Sequence, residues 1–272
     1  MPRIIVGKPL LPNKGVELWY RRKLFALVDF MKKAALRELE APYKELIGEA
    51  ALDASVSSQM RIRLNKLVIE LELKFGSMAD DLAAAFVSRV EKQSGFGFRA
   101  SLSFMLGGDE VLRKAGFLKA GSSMTQPMRE TLKAAVAENV ALIKSIPEQF
   151  VSGLQSKIYQ SINQGGGVGT IAKFVQERFK VSKNRAFWLA FDQNNKASAA
   201  VNARRMDDAG ITKWKWVHTA GSFKPRDYHR DVLNGQVFSM GEVPIADPKT
   251  RERARPGFLI NCRCVAAPVI EV

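Results

Sequence analysis

Residues 213–218 read Lys213-Trp214-Lys215-Trp216-Val217-His218, and the fold turns on them. Polar and aromatic side chains alternate with the period of two that a half-buried strand requires, which puts Trp214 and Trp216 on one face. Just upstream, Gly210 closes a long segment free of proline and glycine that opens at Ser182. A helix therefore hands over to a strand at this point.

N-terminal to the strand, the apolar spacing is helical. Leu24, Val28, Met31 and Ala35 recur at steps of four, three and four, predicting a helix over Val16–Ala41 that Pro42 ends. A second stripe through Val56, Met60, Leu64, Leu67, Leu71 and Phe75 predicts a helix stopping at Gly76, and Asp80–Val90 predicts a shorter third. Glycines punctuate residues 94–126, where the expectation is a short helix near Ala100–Leu106 with loops around it. Leu132, Val136, Val140 and Ile143 share another helical face, and Pro147 is expected to begin a new segment. The run Gly165-Gly166-Gly167-Val168-Gly169 reads as a hinge, since no strand precedes it and no Gly-Lys-Ser/Thr follows. Thr170 then caps a short helix through Ile171, Phe174 and Val175.

The expected fold class is α+β and predominantly α-helical: a helical N-terminal part, then helices and a small β-containing C-terminal module. The expected divisions are an extended arm over residues 1–15 and an N-terminal helical region over 16–125. A third domain covers 126–272, with helices to 210 and the α+β module from 211. Five prolines from Pro225 onward make that module rich in turns.

Composition narrows the function classes. Of 272 residues, 46% are hydrophobic and 25% charged, ordinary for a globular chain, which excludes wholesale disorder. No apolar run reaches the length needed to span a bilayer, and Pro9 and Pro12 interrupt the opening, so no signal peptide or membrane partner is expected. Two cysteines spaced C-x-C are too few for a disulfide scaffold, and a bond between them would be strained, so a reducing cytoplasm is expected. The net charge of +15 favours polyanionic partners. Arg21, Arg22, Lys32 and Lys33 on the first helix, and Lys249, Arg251, Arg253 and Arg255 in a proline-flanked loop, are the candidate nucleic-acid contacts. A solvated face is the alternative for such runs. Trp214 and Trp216 are read as core rather than as a platform for stacking bases.

The C-terminal third carries two paired elements in a set order. The first, H-R-D-V-L-N-G-Q-V-F, runs through His229, Val232-Leu233, Gly235 and Phe238; the second, P-G-x-x-x-N-C-R-C, runs through Pro256, Gly257, Asn261, Cys262, Arg263 and Cys264. Together with the helical stretches ENVALIKSIPEQFVSGL and GGVGTIAKFVQERFKVSKNRA, this order resembles the phage head morphogenesis family, the Mu F-like minor head proteins, over roughly residues 130–272. Many relatives carry an Arg-Thr-Glu-like element where this chain reads Leu189 to Gln193, and an Asp-rich segment where it reads Thr219 to Phe223.

The resemblance implies a non-enzymatic structural protein of a tailed-phage head. Its expected partners are the portal, other capsid proteins and double-stranded DNA held without sequence preference. Its expected location is the head interior near the portal, after assembly in the host cytoplasm. A metal-dependent, nuclease-like DNA-processing enzyme built on Asp227, His229 and Asn234 is the first alternative, and a cytoplasmic nucleic-acid-binding protein the second.

His229, Cys262 and Cys264, with His218, also offer the donor types of a zinc site. Common zinc modules space their cysteines more widely, because one intervening residue strains chelation of a single ion. The preferred reading is therefore no cofactor. The thiols act as small buried hydrophobes, His229 bonds the backbone, and the set ties the module together without catalysis. On an extended backbone Arg263 would face away from both cysteines, free to meet a carboxylate or a phosphate.

Overall fold

The computed structural model describes residues 4–40, 54–110, 124–164, 168–219 and 225–271. The expected stop at Pro42, much of the glycine-rich region after Glu110 and the centre of the hinge at 165–167 lie outside them. The described chain is predominantly helical with a small antiparallel sheet, the expected α+β class.

The elements in order are β1 (Ile4–Val6), α1 (Lys14–Ala35) running into a π-helical turn (Leu36–Glu40), α2 (Ala54–Leu106), α3 (Gln126–Asn163) and α4 (Val168–Asp208). Then follow β2 (Lys213–Val217), a π-helical turn (Tyr228–Leu233), β3 (Val237–Ser239), β4 (Ile245–Asp247), β5 (Glu252–Arg253) and β6 (Val265–Glu271). Asn13 and Thr125 cap α1 and α3, each accepting a hydrogen bond from the backbone N–H three residues on, at 3.1 Å. At the end of α4, Gly210 adopts φ +72° while Ile211 and Gly210 donate back to the carbonyls of Met206 and Asp207. This is the left-handed glycine stop that the sequence implies.

Three helices are longer than expected. The stripe on α2 does not stop at Gly76 but continues through Ala79, Ala83, Phe86, Val90, Phe98, Leu102 and Met105, all buried. Gly76 and Gly97 sit where an added methyl group would meet nothing, so they lie off this packed stripe. A helical glycine costs only about 1 kcal/mol relative to alanine, and one helix of 53 residues absorbs it. Likewise Pro147 lies inside α3 rather than beginning a segment. Its lost hydrogen bond and ring clash, about 3 kcal/mol, are offset by the buried Ile143, Ile146, Phe150 and Leu154 around it. The short helix expected after Thr170 and the segment from Ser182 are one element, α4, because Ile171, Val175, Ala186 and Ala190 keep a buried face across the supposed break.

The chain forms two compact units. The first contains Leu18–Ala84 and Ala137–Ala190. In it α1 meets α3 through a Tyr20 hydroxyl donating to Asn139 Oδ1 at 3.0 Å. It meets α4 through Lys32 over the Phe179 ring and Lys183 near Asp29. Arg185 and Arg178 of α4 donate to Ser145 Oγ and the Gln149 carbonyl of α3, both at 2.8 Å.

The second unit contains Met1–Glu17, Ala85–Val136 and Phe191–Val272, and holds the whole sheet. The strand order is β1-β6-β2-β3, every pair antiparallel, with Trp214 opposite Pro268 and Phe238, and Trp216 opposite Ala266. β4 and β5 form a separate two-stranded ribbon. Trp214 and Trp216 are fully buried on one face, packed with Phe98, Leu102, Met105, Met206, Leu233 and Phe238. Trp214 stacks on Phe238 with ring centroids 4.8 Å apart. Cys262 and Cys264 belong to this same core.

Candidate functional site

The second unit gathers the two paired elements of the sequence onto one spot. The π-helical turn Tyr228–Leu233 carries His229 inward, 2% exposed, against the edge of Trp216 at 5.0 Å. The Cys262 N–H donates to the Leu259 carbonyl in the turn before β6, and Cys264 immediately precedes that strand. Asn261 takes φ +60° and Gly257 φ +88° to make this turn. A methyl group on Gly257 would stand 3.1 Å from Ala199 Cβ, so the loop needs glycine for both reasons. Gly235, at φ +87°, turns the chain back so that its N–H donates to the Trp216 carbonyl. Pro256 is buried beside Gly257.

The geometry at the centre is compact. His229 Nε2 lies 2.9 Å from the Ala246 carbonyl, which accepts only, so this nitrogen carries a proton and Nδ1 faces the two sulfurs. Nδ1 is 3.5 Å from Cys262 Sγ and 3.6 Å from Cys264 Sγ. The donor atoms of His229, Cys262 and Cys264 all lie within 4.8 Å of one another. His218, half-buried at the end of β2, sets its own Nδ1 3.5 Å from Cys264 Sγ. Both cysteines are free thiols. The hydrogen bond from Cys264 pulls the Cys262 thiol below its usual range, and the neighbouring His229 adds to this against the cost of burial. The same bond, with burial, pushes Cys264 the other way.

Helix α4 supplies the surroundings, and these residues escaped the sequence reading. Asn195 Nδ2 donates to the Cys262 carbonyl at 3.2 Å, and Asp192 Oδ1 accepts from the Asn261 N–H at 3.1 Å. Further along, Asn202 Nδ2 donates to the Leu10 carbonyl at 3.2 Å, and Asn202 Oδ1 accepts from Ser94 Oγ at 2.5 Å. Arg205, 1% exposed, donates to Ser94 Oγ, to the Glu91 carbonyl and to the Glu91 carboxylate. The available signal was polar residues spaced three and seven apart along one helix. Asp192, Asn195 and Asn202 satisfy irregular backbone outside the helices and strands.

The other candidates fare differently. Arg263 is not free: its guanidinium lies over the Phe191 ring at 4.7 Å, held there by a cation–π contact. The enzyme trio is engaged elsewhere. Asp227 pairs with Arg230 at 2.9 Å, Asn234 Oδ1 accepts the His218 N–H at 2.9 Å, and His229 is committed as above. Of the basic candidates, Arg22 and Lys33 in the first unit and Lys249, Arg251 and Arg253 in the second are exposed. Arg21 stacks on Phe187 and Lys32 on Phe179. Arg253 donates to the Val243 carbonyl at 2.9 Å. Arg255 lies over Trp214 and donates to the Met240 carbonyl, and burial lowers its pKa from the ordinary value. The Asp247 carboxylate receives the backbone N–H groups of Lys249 and Thr250 at 2.9 and 3.4 Å, which folds the basic loop.

Residues 152–267 match the model of the family described as Phage Mu protein F like protein. It spans the end of α3, all of α4 and the module around His229, Cys262 and Cys264. The chain is also 28% identical over 266 residues to an uncharacterized protein of Haemophilus influenzae (strain ATCC 51907 / DSM 11121 / KW20 / Rd). That alignment covers 97% of this chain and 55% of the relative, so the chain spans just over half of the relative's length. No solved structure matches the chain significantly. No described helix is long and apolar enough to cross a membrane.

Proposed function

We propose that this chain is a minor capsid protein of a tailed phage. It is a structural and assembly component of the head, acts with the portal and other capsid proteins, and catalyses no reaction. The observation that carries the reading is the family match over residues 152–267, which takes in both paired motifs and the helix that supports them. The protein assembles in the host cytoplasm and resides in the head interior near the portal, where it meets packaged double-stranded DNA. The net charge of +15 supports this setting, since cationic side chains among close-packed phosphates gain counterion-release free energy without reading a base. Mass spectrometry of purified procapsids and mature particles, with co-purification on the portal protein, is the test. The protein is expected in both preparations; its absence from both would overturn the proposal.

A further inference from the structure

We infer that Cys262, Cys264 and His229 form a structural zinc site, completed by His218. The inference rests on the chemistry of a folded module and is independent of any role in a particle. Zn–S distances near 2.3 Å and Zn–N distances near 2.0–2.1 Å place N and S ligands roughly 3.5–3.6 Å apart across a tetrahedron. The N···S distances found are 3.5, 3.6 and 3.5 Å. Hydrogen bonding among neutral groups explains them less well. Nδ1 of His229 has one lone pair, and two sulfurs stand at nearly equal distance from it. A cation between the three atoms uses both contacts at once.

Three further features fit. The Ala246 carbonyl accepts the Nε2 proton of His229, the outer hydrogen bond that fixes a ligating imidazole in the right tautomer. The buried Trp216 indole N–H has no hydrogen-bond partner among the described residues. Trp216 packs against His229 and shares the core with Cys264, so a metal-bound thiolate there would give this buried donor an acceptor. The C-x-C spacing, which counted against zinc, also loses its force. Side chains two apart on an extended backbone share one side, and Arg263 between them lies against Phe191. Two thiolates and two imidazoles with no carboxylate select zinc over magnesium or calcium. Zinc binds both sulfurs as thiolates, and the ion neutralises their paired charge.

The full-length protein, purified without chelator, is expected to carry about one zinc per chain by plasma mass spectrometry. Replacement by Co(II) is expected to give the intense d–d bands of a tetrahedral ion together with sulfur-to-metal charge transfer. A strong chelator should lower the melting temperature of the wild-type protein, and added zinc but not magnesium should restore it. This arm does not depend on whether Cys262→Ser or His229→Ala variants fold. His218→Ala should retain the ion with affinity reduced by at least about 10–100-fold, the loss seen for outer-shell partners. Wild-type protein that holds neither zinc nor cobalt, and melts identically with and without chelator, would overturn the site. Unchanged affinity in His218→Ala would overturn its place as fourth ligand.

Discussion

Replacing Arg205 with methionine removes a buried cation while keeping most of its aliphatic stem. The side chain is 1% exposed and donates to Ser94, to the Glu91 backbone and to the Glu91 carboxylate. Breaking a buried pair from one side typically costs about 3–5 kcal/mol. Two features of the site reduce this. Ser94 Oγ keeps its bond to Asn202, and the Glu91 side chain is 21% exposed, so its carboxylate can recover water. The expected loss is therefore about 2–4 kcal/mol. Urea titration followed by near-UV circular dichroism, where the buried pair Trp214 and Trp216 contributes at 6.2 Å separation, gives the assay. At roughly 2–4 °C per kcal/mol for a unit of this size, the melting temperature should fall by about 4–16 °C. A cycle with Glu91→Gln isolates the ion pair from the other hydrogen bonds. A loss below about 0.5 kcal/mol, the range of ordinary surface substitutions, would refute the idea that Arg205 ties α4 to α2 within the second unit.

Gly7→Ala should destabilise the sheet by about 1–3 kcal/mol, because the new methyl group would overlap Ser101 Oγ, Met105 Sδ and the Pro268 ring at 2.4–2.8 Å; denaturant midpoints will check it, and no change would mean the N-terminal arm is loosely held. Gly257→Ala should cost about 1–3 kcal/mol through its positive φ and the Ala199 contact, read out by the same titration. Duplex binding is expected to be indifferent to sequence, with log K falling against log salt by about 0.9 per phosphate contact; a preference above about a hundredfold for one duplex by filter binding would reject this. In that assay Arg251→Ala, at an exposed position, should lower the salt slope by about 1, whereas Arg255→Ala should lower stability and leave the slope unchanged.

The sequence displayed the parts of the fold that rest on local periodicity. Trp214 and Trp216 alternate because one sheet face is buried, and Gly210 stops α4 because only glycine takes φ +72° at no cost. Glycine and proline misled where tertiary packing outweighed local preference. At Gly76 and Pro147 a penalty of 1–3 kcal/mol is small beside the apolar surface that a continuous helix buries. The site was half legible. His229, Cys262 and Cys264 stood out by residue type and order, but their convergence depends on the turns at Gly235 and Gly257, whose joint geometry no spacing rule encodes. Asn195, Asn202 and Arg205 stayed hidden because polar residues on a helix ordinarily mean a solvated face. Here they are buried against backbone 67 to 192 residues away in the chain.

The place of β6 in the sheet sets an order of events for the chain as it is made. Ile4 pairs with Glu271, and β6 lies between β1 and β2. Translation at about 5–20 residues per second puts on the order of ten to fifty seconds between the synthesis of these two partners. For that interval Ile4–Val6 has no ladder to join, while Trp216 waits about 2.5–10 seconds for the strand that carries Ala266 opposite it. The helices, built on contacts a few residues apart, need no such wait. The sheet therefore closes only once β6 has been made, and Cys262 and Cys264 arrive just ahead of that strand.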